Sequence, residues 1–376
     1  MELTELRNEI DNIDDEIAAL FEKRTRIACD IAEYKRAHGM EIFQGGREDE
    51  VLKRAADRVS PENADGAKLL FMTLMDISKC RQQQLLTEIK PFIPECETAN
   101  PLVGAVTKGS YTADACEKFF GNGCNIRYFR DFESVFKAVE DDAVDYGVIP
   151  IENSTAGDVS ATYGLMLRHR FYICRSTKIR IDHVLAAKPG VRPEDIKTVM
   201  SHEMALKQCS VFLEKSGYST ENASSTAKAA ETVAASDDNT IGAICSASCA
   251  KLFGLVPIVT DIMDIRDNYT RFITISKDLQ IPKNASVVSL CLTVPHTAGS
   301  LYRILTRFAY CGLNLCHIES KPLPGALAYL KDDAFEFIFY LDFIGSVKDE
   351  NVVKLLTGLE KGTKFYRFLG NYEEVD

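Results

Sequence analysis

The chain has 376 residues, 46% of them hydrophobic and 26% charged, a globular balance long enough for two or three domains. Its formal net charge of -11 repels polyanions and argues against nucleic-acid binding, so an anionic ligand would need a local cluster of Arg and Lys. No run of about 18 apolar residues occurs, which excludes a membrane-spanning helix. The acidic, amphipathic start MELTELRNEI lacks the basic and then apolar pattern of a secretory leader, so the expected compartment is the cytoplasm. The 12 cysteines lie mostly in apolar runs (Cys29, Cys174, Cys245, Cys291), as buried free thiols do. No C-x-x-C pair occurs and no metal is expected, while a lone cysteine nucleophile stays open at this point.

In chain order, residues 1–90 read as all helix. Leu3, Ile10, Ile17 and Ile31 fall on one heptad position, and Leu6, Ile13, Leu20, Ile27 and Tyr34 on the other. This predicts a first helix from about Glu2 to Ala37, roughly 50 Å long. That is too long to bury its seam within 90 residues, so a partner helix is expected, most simply from a second copy. Gly45 and Gly46, then Arg47 and Glu48, open a second helix to about Arg58, and a third runs from about Pro61 to about Ile89. The seam position between Ile17 and Ile31 is Arg24, a permanent cation. Lys35, eleven residues on, points the same way within about 20° and lies about 16 Å along the axis. Arg7 lies about 25 Å from Arg24, rotated by about 100°, so it would serve only the pocket of a partner. Ser78 and Gln82, an i, i+4 pair, share a face of the third helix. Arg24 alone reads equally well as a surface arginine snorkelling at an imperfect heptad. With Lys35, Arg47, Glu48, Ser78 and Gln82 beside it, the set suits a small dianion that carries a hydroxyl.

Residues 91–101, PFIPECETANP, carry three prolines and no period, and read as a linker. Residues 102–280 alternate short β-rich runs with helix patterns. The strands include DYGVIPI (145–151), HVLAAK (183–188), TIGAICS (240–246) and RFITIS (271–276). This is an α/β pattern, expected as two lobes with a cleft, with the turn ENSTAG placed at a strand's C-terminal end where sites lie. Residues 284–376 start again in the order βαββαβ, from SVVSLCLTV to TKFYRFLG, a ferredoxin-like α+β module. No Gly-x-Gly-x-x-Gly follows a strand and no P-loop is present, so no nucleotide cofactor is expected.

The stretches LRNEIDNID, EKRTRIA, EYK, GGRE and ISKCRQQQ resemble the all-helical chorismate mutases over residues 1–90. The resemblance implies an intertwined helical dimer. Arg24, with Arg7 from the partner, would hold the two substrate carboxylates. Lys35 and Gln82 would donate hydrogen bonds to the ether oxygen. Arg47 and Ser78 would help hold carboxylate, and Glu48 the ring hydroxyl. The middle segment resembles prephenate dehydratase through GSYT (109–112), PIENSTAGDV (150–159), SHEMALKQC (201–209), SSTAKAA (224–230) and NYTRF (268–272), five motifs in the family's order. That resemblance implies a periplasmic-binding-protein-like two-lobed domain. Thr270 would be the hydroxyl donor to the leaving group, and Arg271 would set the charge of the site or clamp an anion. Asn153, Ser154, Ser201, Ser225 and Thr226 would contact carboxylate and carbonyl, and Phe272 completes the substrate-binding motif. Ser201 reads equally as a helix N-cap, and His202, following it, as structural.

The tail resembles an ACT regulatory module through GSLY (299–302) and ESKP (319–322). Gly299, Ser300 and Leu301 open a helix after a strand, where free N–H groups would bind an amino-acid carboxylate, with Glu319 and Ser320 nearby. The whole chain therefore resembles the bifunctional chorismate mutase–prephenate dehydratases. Its implied substrates are chorismate and prephenate, its implied effector is L-phenylalanine, and a homodimer or higher homo-oligomer is implied, without cofactor. The rival readings are a preference for arogenate and a non-catalytic ligand sensor, and the rival for the tail is a pure dimerisation domain.

Overall fold

The computed structural model describes residues 2–40, 45–86, 100–155, 157–158, 160–323, 327 and 337–376. The expected end of the third helix (87–89), most of the expected linker (91–99) and parts of ENSTAGDV (156 and 159) lie outside the described residues. Helix α1 runs unbroken over Leu3–Ala37. It starts where predicted because Glu5 accepts a 2.8 Å bond from the Glu2 backbone N–H, tying down one orphan donor of the first turn. Helix α2 spans Gly45–Asp57, and α3 spans Ala64–Leu86 after a 3₁₀ turn at Pro61–Asn63. Proline costs nothing there, since its missing N–H would be unpaired in a first turn.

The buried residues of α1 are Ala28 and Ala32, whose small side chains let it approach α3 closely. The heptad seam points elsewhere. From Leu3 to Tyr34 its apolar members are 41–64% exposed, so no described residue buries them. Cys29, expected to be buried, is half-buried, while Cys174, Cys245 and Cys291 are buried.

The middle of the chain folds as two lobes. The first holds β1 (Leu102–Val106), α4 (Tyr111–Phe120), β2 (Asn125–Phe129), α5 (Phe132–Glu140), β3 (Tyr146–Asn153), β4 (Gly157–Asp158), α6 (Ser160–His169) and β5 (Tyr172–Arg180). The second holds β6 (His183–Ala187), β7 (Thr198–Ser201), α7 (Glu203–Gln208), α8 (Ser210–Ser216), β8 (Ser219–Asn222), α9 (Thr226–Ala235), β9 (Ile241–Ser246), α10 (Ala247–Leu252) and β10 (Val256–Val259). The chain then returns to the first lobe as β11 (Tyr269–Ser276). The lobe sheets order as β5-β11-β3-β1-β2 and β10-β6-β9-β7-β8. Strand β3 runs two residues past the expected IPI, because Glu152 and Asn153 still pair with Arg271 and Thr270 of β11. The lobes are stapled where the chain crosses: Tyr111 of the GSYT motif donates its hydroxyl to the Asp182 carbonyl at 2.9 Å and lies 3.2 Å from His183 Nδ1. Burial pulls the His183 pKa down to about 4, so it is neutral there.

The tail gives β12 (Val287–Thr293), α11 (Ser300–Tyr310), β13 (Leu315–Pro322), β14 (Phe337–Ile344), α12 (Glu350–Gly362) and β15 (Tyr366–Val375), the βαββαβ order read from its periods. Its strands order as β13-β14-β12-β15. The described chain forms two compact units. One joins the N-terminal helices to Val288–Phe368, and the other joins the two lobes to Leu369–Asp376.

The last strand, expected to end at Gly370, continues to Val375. Its charged Glu373 and Glu374 hid this extension from the hydrophobic pattern, yet Tyr372 and Asn371 are fully buried, and Glu373–Val375 pair in parallel with Arg175–Thr177 of β5. Gly370 makes that approach possible, because a Cβ there would stand 2.3 Å from the Ile173 carbonyl oxygen. Replacing Gly370 with Ala is expected to destabilise the protein by about 2–3 kcal/mol, read as a lower urea midpoint; an unchanged midpoint would contradict this packing.

Candidate functional site

Helices α1, α2 and α3 border an open cavity of about 290 Å³. Its walls include Arg24, Lys35, Arg47, Glu48, Ser78 and Gln82, so six of the residues singled out in the sequence line one cavity. Arg24 does not join the exposed seam. Its Nη1 donates to the Leu74 carbonyl at 2.8 Å and to Ser78 Oγ at 2.5 Å. Burial lowers its pKa, but a guanidinium stays charged. The Ser78 hydroxyl gives its own proton to the Leu74 carbonyl at 2.7 Å. Ser78 thus orients Arg24, and its proton is directed to the backbone. Gln82 Nε2 donates to the Ala28 carbonyl at 2.7 Å, which leaves the second N–H of that amide for a ligand. Arg47 is exposed and lies 3.4 Å from Glu50. Arg7, on the first turns of α1, is not among the cavity's walls.

Three charged residues around this cavity escaped the sequence reading. Lys79 is part of the wall and pairs with Glu48; burial pulls its pKa down while Glu48 opposes that shift. Asp76 is buried beneath it, and Arg303 of α11 donates to both Asp76 and Glu48. Lys79 stood beside Ser78 inside the quoted motif, where its neighbour's role distracted from it. Arg303, far away in the sequence, left no signal.

In the first lobe, Thr270 sits at the start of β11 opposite Asn153 at the end of β3, the strand end where a site was expected. Asn153 Nδ2 donates to Thr270 Oγ1 at 2.8 Å and to Asn268 Oδ1 at 3.0 Å. Thr155 joins the network through Asn153 Oδ1 at 2.8 Å and Asn268 Oδ1 at 3.1 Å. With a donor already aimed at its oxygen, Thr270 keeps its own proton to give away. Asn268 is fully buried, and its Nδ2 has no hydrogen-bond partner among the described residues, a second donor beside Thr270. Asn268 lay within the quoted NYTRF motif but was given no role there.

Several expected contacts are placed differently. The Ser154 hydroxyl accepts from the Tyr269 N–H at 2.9 Å and donates to the Asp267 carbonyl at 3.2 Å. It pins the chain leading into Thr270 rather than facing a ligand. Arg271 forms an ion pair with Glu152 at 3.1 Å and reaches Tyr372 at 3.4 Å, so its charge is balanced within the protein. Phe272 packs among Val103, Ala105, Phe119 and Val148 in the core of the lobe, because strand alternation carries it inward.

In the second lobe, Ser201 is fully buried and donates to the Ile244 carbonyl at 2.6 Å. It is neither a ligand contact nor the cap of α7. The cap is His202, whose Nδ1 accepts from the Met204 N–H at 3.2 Å. Ser225 caps α9 through the Lys228 N–H at 3.0 Å, and Thr226 opens that helix. No described hydrogen bond joins these residues to Thr270.

In the tail, Gly299 caps α11 in the left-handed conformation, where Ser300 and Leu301 help wall a cavity of about 130 Å³ with His296, Thr297, Phe337 and Phe339. Glu319 and Ser320 do not line it. They alternate across β13, and Glu319 pairs with Lys321 at 3.1 Å.

Comparison with known proteins follows the same division. Residues 6–83 match the family model of chorismate mutase type II, and residues 106–280 match that of prephenate dehydratase. The "Arogenate dehydratase/prephenate dehydratase 2, chloroplastic" of Arabidopsis thaliana is 35% identical over 306 residues, 76% of this chain and 79% of its own. The crystal structure of a prephenate dehydratase from Arthrobacter aurescens in complex with L-Phe is 29% identical, with a TM-score of 0.64 over 73% of this chain and 90% of that one. The bifunctional chorismate mutase/prephenate dehydratase of Aquifex aeolicus is 32% identical over 380 residues, spanning 100% of this chain and 98% of its own. With both segments matched in this order and a relative that runs alongside from end to end, the chain belongs to the family of bifunctional chorismate mutase/prephenate dehydratases.

Proposed function

We propose that the chain converts chorismate to prephenate in the helical cavity, and prephenate to phenylpyruvate beside Thr270, as steps towards L-phenylalanine. The observation that carries the first step is the gathering of Arg24, Lys35, Arg47 and Glu48 around one cavity. A Claisen rearrangement breaks the ether C–O bond as a C–C bond forms, and it requires no nucleophile. It needs the substrate folded into a chair and negative charge on the departing oxygen stabilised. Arg24 and Arg47 suit the first task, and Lys35 with the remaining Gln82 N–H suits the second. The second step expels the ring hydroxyl as water together with carbon dioxide, and the ring becomes aromatic. Its barrier is the poor leaving group. A hydroxyl that accepts from Asn153 and keeps its own proton is an oriented donor for that oxygen.

Two further roles belong to this reading. The exposed seam of α1 would be covered by α1 of a second copy, which would bring Arg7 to the partner's cavity. The tail would act as an ACT module that takes L-phenylalanine at the cavity bordered by Ser300 and Leu301, as the L-Phe complex of the Arthrobacter aurescens relative supports. The Arabidopsis relative's name makes arogenate the competing substrate of the second step.

Incubation with chorismate alone is expected to yield phenylpyruvate, and Arg24→Ala should lose about 10²–10³ in kcat/KM for chorismate while still converting prephenate. If the seam brings Arg7 across, equal mixtures of refolded Arg7→Ala and Arg24→Ala chains should regain roughly a quarter of wild-type mutase activity, since half the dimers would hold one intact site; no regain would exclude a shared site. Thr270→Val is expected to lower kcat on prephenate by about 10²–10³ with mutase turnover retained, and parallel assays on arogenate would decide the preferred substrate. Titration calorimetry should detect L-phenylalanine binding that Gly299→Val abolishes; absence of heat in the wild type would reduce the tail to a dimerisation element.

A further inference from the structure

The helical cavity has a second ring of charge behind its wall. Glu48 of α2 faces the cavity, and its carboxylate is held by two cations, one in the wall and one outside it. Lys79 of α3 pairs with one oxygen, Glu48 Oε1, and Arg303 Nη2 donates to the other, Oε2, at 3.0 Å. The same guanidinium grips Asp76 through Nε, at 3.1 and 3.2 Å to its two oxygens, and through Nη2 at 3.0 Å. Asp76 is 1% exposed, and Lys79 lies 3.8 Å from it. Two carboxylates and two cations thus form a closed, neutral quartet, and one member comes from the C-terminal module.

A buried carboxylate without a cation is costly, so this arrangement depends on Arg303 being in place. Burial alone would pull the Arg303 pKa down, yet its bonds to Asp76 and Glu48 outweigh that, and the guanidinium ends above its ordinary value. The fork geometry matters. One guanidinium spans two carboxylates with parallel N–H groups, which a lysine's point charge does only in part. Arg303 does not touch the cavity itself, so any effect on chemistry passes through Glu48. The neighbouring residues support the docking: the Tyr302 hydroxyl lies 2.9 Å from Thr73 Oγ1, and a Cβ on Gly299 would stand 3.3 Å from Met72.

We propose that Arg303 is a positioning residue of the chorismate site: through its bonds to Glu48 and Asp76 it fixes the carboxylate that receives the ring hydroxyl, so the mutase cavity is complete only with the C-terminal module docked on α3. This rests on the reading of the helical cavity as the chorismate site. The charged groups around Glu48 are Arg303 from α11, Lys79 and Asp76 from α3, the adjacent Arg47, and Arg24 and Lys35 of α1 on the cavity wall. Loss of Arg303 leaves Asp76 and Glu48 sharing Lys79 alone, so the Glu48 carboxylate is no longer held through both of its oxygens.

The test uses the full-length protein with Arg303→Ala and Arg303→Lys, assayed for kcat and KM on chorismate, with thermal melting and turnover of prephenate as folding controls. The expected result for Arg303→Ala is a fall of about 10- to 100-fold in kcat/KM for chorismate, with prephenate turnover retained. Arg303→Lys, which keeps a cation, should restore part of the rate. Unchanged mutase kinetics in Arg303→Ala would overturn the proposal, as would a fall in rate that Arg303→Lys does not partly rescue, which is the mark of a merely structural role. A wild-type protein that leaves chorismate untouched would defeat the reading and the proposal together, whereas wild-type turnover with an unaffected variant defeats the proposal alone.

Discussion

The helical cavity is built around a permanent cation that has been drawn half out of water. Arg24 is held by a backbone carbonyl and by a serine hydroxyl, and neither neutralises it. A guanidinium in that position is tolerated because the side chain stays half-exposed to water, and a small anion would suit it there. Much of the local construction serves this constraint. Ala28 and Ala32 bring α1 close to α3, Ser78 spends its proton on the backbone so that its oxygen can accept from Arg24, and Lys35 and Arg47 supply further positive charge at the same wall. A protein of net charge -11 thereby offers a dianion a locally attractive site, because at a few ångströms the nearby charges outweigh the distant ones.

The two candidate sites use different physics for different barriers. The helical one gathers full charges, which suits a reaction whose demand is conformational and electrostatic. The site at Thr270 is built of uncharged amides and hydroxyls: Asn153, Thr155, Asn268 and Thr270 orient one another through short hydrogen bonds. Such a network does little to shift a pKa, but it fixes which proton points outward. The arginine beside it, Arg271, is balanced by Glu152, so the charge suggested by the motif is spent inside the sheet.

The C-terminal module takes part in both compact units. Its helix α11 lies against α3, with Arg303 reaching Glu48, while its last strand ends beside β5 in the sheet of the first lobe. The first turn of α11 borders a small cavity on one side through Ser300 and Leu301, and carries Arg303 into the charged quartet on the other. A module appended after both catalytic segments therefore takes part in the structure of each.

How far the sequence reaches is visible residue by residue. The 3.5-residue period determined the length of α1, and helical angles alone put Arg24 and Lys35 on one face, because those depend only on local geometry. Strand runs determined the two-lobed and βαββαβ segments for the same reason. Motifs named Asn153, Thr270, Ser154, Ser201 and Phe272 alike, and only the structure joins the first two by a hydrogen bond, turns Ser154 and Ser201 to backbone carbonyls and sinks Phe272 into the core, since a motif does not say which way a side chain faces. The direction of the seam, the neutralisation of Arg271, the extension of β15 past Gly370 and the bond from Arg303 to Glu48 were decided only by tertiary structure. Each depends on what stands opposite a residue across a long stretch of chain, and neither periodicity nor spacing carries that information.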